Sequence, residues 1–511
     1  MGQEERETDE SLEGNEETSP EGQEIVQSSL PARLLGFENP TENALYLAKV
    51  LTILIPLFAG TFQLSTSFYM IHIAETLGGG SYDQGLTLVG ILVVIQLAVQ
   101  TLLDYPTGVI GDWIGQRYVI ACALFSYAVA FWLTATVTPD TPFSVFIVIY
   151  ALMGFGASQE SGAFQAWFDN NYRIAMPHDE KRESYGAFWG KVGSINQIFA
   201  TLVLIPGSWL AVIYARELVF RLQAILAVLL ALMVLKLIKD LPGVRGEDEE
   251  SRSFEEYTSI MKRGVRFLVS DPFVIFFILG EVLLLSVGPL WWNLLLFPLY
   301  FNYLVTEVAV SSYRTLIFVP NAVFQERTGI WAKRFEPKKW IPRFRLAQFN
   351  GFLALLGLAA LTFVFPRAPA GAEMVNIVIP YLNLAIIEVP TVSLVPVLLM
   401  FIIFVVTGIF GGLASILSQR IMIDVVPNKI RNSLYSLRPT LVMILSMPLI
   451  AFFGWFKPAF GFPATFALCA IIPLLGVLAT KKALSYPIPK AELVKPATED
   501  EREEVEELDV T

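Results

Sequence analysis

The chain has 511 residues, of which 54% are hydrophobic and only 16% charged, against about 25% charged in soluble domains. Apolar stretches of about 18 residues or more recur along it, each long enough to cross a hydrocarbon layer roughly 30 Å thick. This excludes a soluble globular fold and points to an all-α protein that crosses a membrane many times. The net charge of −11 sits at the ends: residues 1–30 hold ten acids and one arginine, and residues 491–511 hold nine acids and two bases, which leaves about +5 between them. Tails over 1–40 and 486–511 are therefore expected to stay unfolded. The first 40 residues lack the apolar core of a signal peptide. Cys122 and Cys469 lie inside apolar spans, so no disulfide framework is expected.

Twelve spans are predicted, at 46–72, 86–104, 118–137, 144–168, 185–212, 218–238, 273–300, 308–325, 346–365, 394–417, 432–454 and 462–480. Span 1 places Gly60, Gln63 and Ser67 on one helical face. Span 2 ends at Asp104 and leads into "PTGVIGDWIGQRYV", where glycines and charges interrupt the apolar pattern. Span 4 sets Ser158, Gly162, Gln165 and Asp169 at i, i+4, i+7 and i+11, with Gln159 at the edge of that stripe. Glu160 faces away from the stripe. It is read either as a proton-coupling group or as the ion-pair partner of Lys191 on span 5. Residues 239–272 form the longest basic connection, and "FEEYTSIMKRGVRFL" within it reads as an amphipathic surface helix.

In span 7, Gly288-Pro289 predicts a kink. Trp292 and Asn293 are cavity candidates beside it. Glu281 is read as a coupling group or as the partner of Arg438. Arg314 on span 8 is expected to reach the outer interface, and His72 and Glu75 to be solvated. Span 10 repeats a small and polar stripe with Gly408, Gly412, Ser415 and Gln419. The loop "PRAPAGAEMVNIVIPYLNLAIIEVP" after span 9 is expected as a long external connection.

Lys and Arg concentrate in the gaps after even-numbered spans, which places both termini in the cytoplasm, here of a cell membrane. An internal repeat supports a six-plus-six division. Pro177, Lys181 and Tyr185 recur as Pro427, Arg431 and Tyr435, all at an offset of 250, and "GIWAKRFEPKK" at 329 is a degraded counterpart of the loop after span 2.

That loop fills the pattern Gly-x-x-x-Asp-x-x-Gly-x-Arg at Gly108, Asp112, Gly115 and Arg117, and so resembles the signature loop of the major facilitator superfamily. The resemblance covers residues 40–485. Trp113 and Tyr118 depart from it at positions where further basic residues are frequent. It implies two pseudo-symmetric six-helix bundles, over 41–238 and 273–485, around a central cavity. It also implies a cytoplasmic latch in which Asp112, with Asp104, Gly108, Gly115 and Arg117, meets the start of helix 11 near Arg431.

The implied function is secondary transport, by alternating access, of a small organic solute that is neutral or singly charged, with proton coupling left open. A non-transporting membrane sensor or scaffold of the same fold is the alternative. No nucleotide loop, hydrolase motif or metal cluster is present in the sequence. Hence no enzyme activity, cofactor, metal or nucleic acid is expected, and the protein is expected to be a monomer in the lipid bilayer.

Overall fold

The computed structural model of the chain describes residues 35–37, 40–179, 183–242, 244, 266–369, 371–380, 384–425 and 428–489. Almost all of both acidic tails, and most of the expected surface helix, lie outside the described residues. The first crossing is α1 (Glu42–Gln63), started by the Thr41 hydroxyl, which accepts from the Ala44 amide at 3.1 Å, and then α2 (Tyr69–Leu77). Next come α3 (Tyr82–Ile114), α4 (Gln116–Thr134), α5 (Phe143–Glu160) with α6 (Ala163–Ala175), α7 (Glu183–Ile213) and α8 (Arg216–Leu237). The second half holds α9 (Pro272–Leu290), a π-helical turn at Trp291–Leu295, and α10 (Leu296–Tyr303). It continues with α11 (Glu307–Ala332), α12 (Pro337–Ala347) with α13 (Phe352–Val364), α14 (Leu394–Val425), α15 (Asn428–Cys469) and α16 (Ile471–Ala483).

Among the described residues ten helical stretches are long and apolar enough to cross a membrane. One of them, Leu437–Ala483, has 47 residues, about 70 Å of helix at 1.5 Å per residue. It turns at Gly461, whose φ of 73° suits glycine, and so is long enough for two crossings. The 26-residue α11 is long enough for another but too polar to count among the ten. With these, the helices fall where the sequence places its spans.

Neighbour relations repeat between the halves. The first crossing packs against the fifth and sixth (α1 with α7 and α8), and the seventh packs against α15 and α16. The second packs against the fourth (α3 with α5), as α11 does with α14. Between the halves the main helix contacts are α3 with α15 and α7 with α11. Exchanging the halves turns one of these pairs into the other, which is the geometry of a duplicated unit.

Two local findings depart from the sequence reading. The loop after α13 contains an antiparallel hairpin, β1 (Met374–Ile379) with β2 (Leu384–Pro390), pairing Met374 with Pro390. The β-branched residues of "MVNIVI" and "LAIIEVP" favour strand. The second departure is that span 4 is not one helix. Gly162 takes φ 74° between α5 and α6, so Ser158 and Gln165 no longer share a face.

Close backbone approach fixes α7 against the end of α1, because a Cβ on Gly207 would lie 2.1 Å from the Leu64 carbonyl oxygen. Gly207→Ala is expected to lower the melting temperature of the purified protein. The cost should be about 1–3 kcal/mol, as for other overpacked sites; an unchanged melting temperature would refute that contact.

Candidate functional site

The hairpin side of the molecule is sealed by groups from both halves. Asp83 at the start of α3 pairs with Lys457 of α15, and the Lys457 ammonium lies over the Tyr82 and Phe462 rings. Arg216 bridges Glu75 of its own half and Glu307 of the other, both at 2.6 Å. Deeper in, the Ser311 hydroxyl lies 2.6 Å from those of Ser67 and Ser208, and all three are fully buried. The Thr87 hydroxyl donates to the Gly454 carbonyl at 3.0 Å. Gly90 and Gly454 face each other so closely that a Cβ on either would stand 3.3 Å from the other's Cα. The Trp209 indole N–H donates to the Ala385 carbonyl at 2.7 Å, which ties the hairpin to α7.

Toward the opposite, basic side no hydrogen bond or ion pair joins the halves among the described residues. Along α7, Gly186, Gly190 and Gly193 have nothing within 4 Å of where a Cβ would stand. Lys191, Ser194 and Gln197 are exposed there.

A pocket of about 200 Å³ lies at mid-depth, lined among others by Trp292, Tyr300, Arg314, Asn321, Phe349 and Phe404. The π-helical turn builds one wall. Pro289 has no amide N–H, the turn after it widens, and the Asn293 side chain donates to the Pro289 carbonyl at 2.8 Å. Trp291 then points into the bundle, edge-on to Phe349 and Phe404. Trp292 points the other way and is 47% exposed. Arg314 stands about 10 Å along α11 from Glu307, only 4% exposed, with its guanidinium 5.8 Å from the Trp292 ring and 5.4 Å from Phe297. It does not reach the outer interface as expected. A charge at this depth costs roughly 2.5–3.5 kcal/mol on insertion scales.

The remaining sequence candidates divide. Trp292 lines the pocket. Asn293 repairs the helix. Ser67 belongs to the seal. Gln63 ends α1 with its Oε1 buried and without a protein partner. Ser158 is buried and donates to the Phe155 carbonyl of its own helix, and Gln159 is buried beside it. Gln165, past the break, is exposed near Tyr185. Gly408 and Gly412 accept Asn321 and Thr328 of α11 against α14, while Ser415 and Gln419 are exposed.

The acidic candidates divide as well. Glu281 is fully buried, with one oxygen on Arg345 and the other on Arg438, both at 2.6 Å, and Ser418 also reaches it at 3.2 Å. Both its oxygens are thus held. Glu160, the last residue of α5, is half-buried and takes no part in the described ion pairs; Lys191 is exposed instead of pairing with it. Asp104 lies on α3 and bonds Ser161 at the α5–α6 break, within its own half. His72 is buried against Phe220 and Glu75 is ion-paired, so neither is solvated as expected. Of the latch, Gly108 lies within α3, Gly115 caps its end, and Arg117 is half-buried against Tyr118. The side chains of Asp112 and Arg431 lie outside the described residues.

Sequence reasoning missed Tyr300, Asn321, Phe349 and Phe404. Asn321 after Pro320 was a detectable signal, since it is a lone amide in an apolar run; the aromatic residues gave none beyond hydrophobicity.

Removing Asp83 leaves a buried ammonium without its carboxylate, on the order of 1.5–3 kcal/mol for a charged hydrogen bond. Asp83→Asn is therefore expected to open the hairpin side more than tenfold more often. Labelling of Ser311→Cys by a membrane-impermeant thiol reagent, with Cys122 and Cys469 replaced, should speed up accordingly; an unchanged rate would contradict the seal.

The nucleoside transporter NupG has the same fold, with a TM-score of 0.60 at 14% identity, covering 87% of this chain and 100% of that one. So does a bacterial homologue of the human lysosomal transporter Spinster, solved inward-facing and unoccupied (TM-score 0.58, 13% identity, 89% and 99% covered). The xylose transporter XylE from E. coli, inward open, gives a TM-score of 0.52 at 16% identity, with 90% and 99% covered. Identities this low speak for the fold alone. A comparison with curated protein sequences finds no match. The sequence profile of the Major Facilitator Superfamily matches residues 50–395, over half of the chain. On that match and this arrangement of helices, the chain belongs to the Major Facilitator Superfamily of membrane transporters.

Proposed function

We propose that the protein is a secondary transporter that carries a small organic solute by alternating access, moving the bundles 41–238 and 273–485 against each other across the 239–272 connection. The basic loops support a reading with the hairpin side outside and both termini in the cytoplasm of a cell membrane. The described state is then closed outside and open inside. One observation carries the reading: the two contacts between the halves, α3 with α15 and α7 with α11, exchange under the internal repeat. A pivot of that symmetry closes one side as it opens the other. In the opposite state the loop with Gly108, Asp112, Gly115 and Arg117 meets the start of α15 near Arg431 and latches the cytoplasmic side.

The pocket holds one cation among aromatic walls, which suits a solute with at most one charge and does not suit a polyanion. Glu281 is held by two arginines and serves as a structural tie. Glu160 carries no described ion pair and faces the break in the fourth crossing, so it is the proton-coupling candidate of this reading.

Purified protein in proteoliposomes is expected to show saturable counterflow of any solute that stabilises it thermally. Glu160→Gln should abolish uptake driven by a pH jump while leaving counterflow within about threefold. Ionic conductance without counterflow would overturn the transporter reading, and undiminished pH-driven uptake in the variant would remove Glu160 from it.

A further inference from the structure

Three Lys or Arg side chains are buried among the described residues: Arg314, Arg345 and Lys457. Arg345 is held by Glu281 and Lys457 by Asp83. Arg314 alone enters none of the described ion pairs, and its Nη1 is buried without a hydrogen-bond partner. It is also the one of the three that lines the mid-depth pocket. The Trp292 and Phe297 rings lie beside its guanidinium, and Tyr300 and Asn321 line the same pocket with no described hydrogen bond to it. Ring faces attract a guanidinium but accept none of its directed N–H bonds. The fork therefore keeps donors free for a planar two-oxygen acceptor.

We infer that this pocket binds a small organic monoanion, a carboxylate on a flat apolar body. The carboxylate sits on Arg314, and the body lies among Trp292, Tyr300 and Phe404. The charge count fixes the class. One unpaired cation neutralises one negative charge, and a second negative charge would find no cation among the residues that line the pocket. Size narrows it further. A volume of about 200 Å³ is close to that of an apolar protein cavity of about 150 Å³ that takes up benzene, which suits a single ring. Asn321 offers a donor and an acceptor to a neutral substituent on that ring. The inference deepens the transporter reading, in which the bound carboxylate becomes the transported solute, but its test needs binding alone.

The full-length protein in detergent is titrated with benzoate, cyclohexanecarboxylate and 2-naphthoate, with benzamide as the neutral isostere and phthalate as the dianion. Melting temperature and tryptophan fluorescence are followed. At least one monocarboxylate is expected to raise the melting temperature and change the fluorescence saturably, with benzamide and phthalate at least tenfold weaker. Arg314→Gln should weaken that carboxylate at least tenfold, Arg314→Lys less, and Trp292→Phe should remove most of the fluorescence response. No binding by any monocarboxylate, or benzamide binding as well as benzoate, overturns the inference without recourse to a variant. Unchanged affinity in folded Arg314→Gln overturns it too. Carboxylate binding without counterflow would leave this site standing and count against transport. Counterflow of another solute without carboxylate binding would do the reverse.

Discussion

Ser311 of α11 meets the hydroxyls of Ser67, in the turn between α1 and α2, and of Ser208 on α7, both of the other half, within a seal that also holds a glycine–glycine contact and two ion-pair clusters. The rest of the structure depends on this juncture. Lipid tails supply no hydrophobic drive between membrane helices, so close backbone approach and polar contacts must do the holding. Gly90 and Gly454 permit the first, and the serines provide the second. Each individual contact is weak. A seal of such parts can be broken and remade contact by contact.

The same economy of polar groups runs through the interior. Where burial is meant to hold, charges are closed into sets, as with Glu281 between Arg345 and Arg438 and with the Ser418 hydroxyl. Such a set ties α9 to α12, α14 and α15. At the pocket the pattern is left incomplete. The π-helical turn after Pro289 spends regular hydrogen bonding to swing Trp292 into the pocket, and Asn293 repairs one of the carbonyls released. Arg314 is held over ring faces with a donor unused.

Much of the fold was legible because membrane crossing imposes a length and a composition. The pairing of Glu281 with Arg438 was legible too, since both lie near one end of adjacent spans. The stripe on span 4 failed because its periodicity assumed an unbroken helix. Gly162 in the left-handed region ends that helix, and a glycine in sequence does not disclose whether it bends the chain or admits a neighbour. The stripe on span 1 failed in the same way: the helix ends at Gln63, and Ser67 lies in the turn after it, where it meets Ser311 of the other half. Arg314 was misread because depth along α11 depends on where Thr306 caps the helix, and a snorkelling path depends on neighbours that one span does not reveal. The hairpin was hidden by its place in an otherwise helical chain.

The central claim is that the two halves pivot about the seal, so the two sides move oppositely. Spin labels report it most directly: one pair at Gln84 and Phe460 on the hairpin side, and one at Lys191 and Arg327 on the basic side, all exposed positions, measured in lipid with and without a stabilising solute. The account predicts that, as solute shifts the population, the hairpin-side distance lengthens while the basic-side distance shortens. Distances that change in the same sense, or a basic side that never closes, would contradict it.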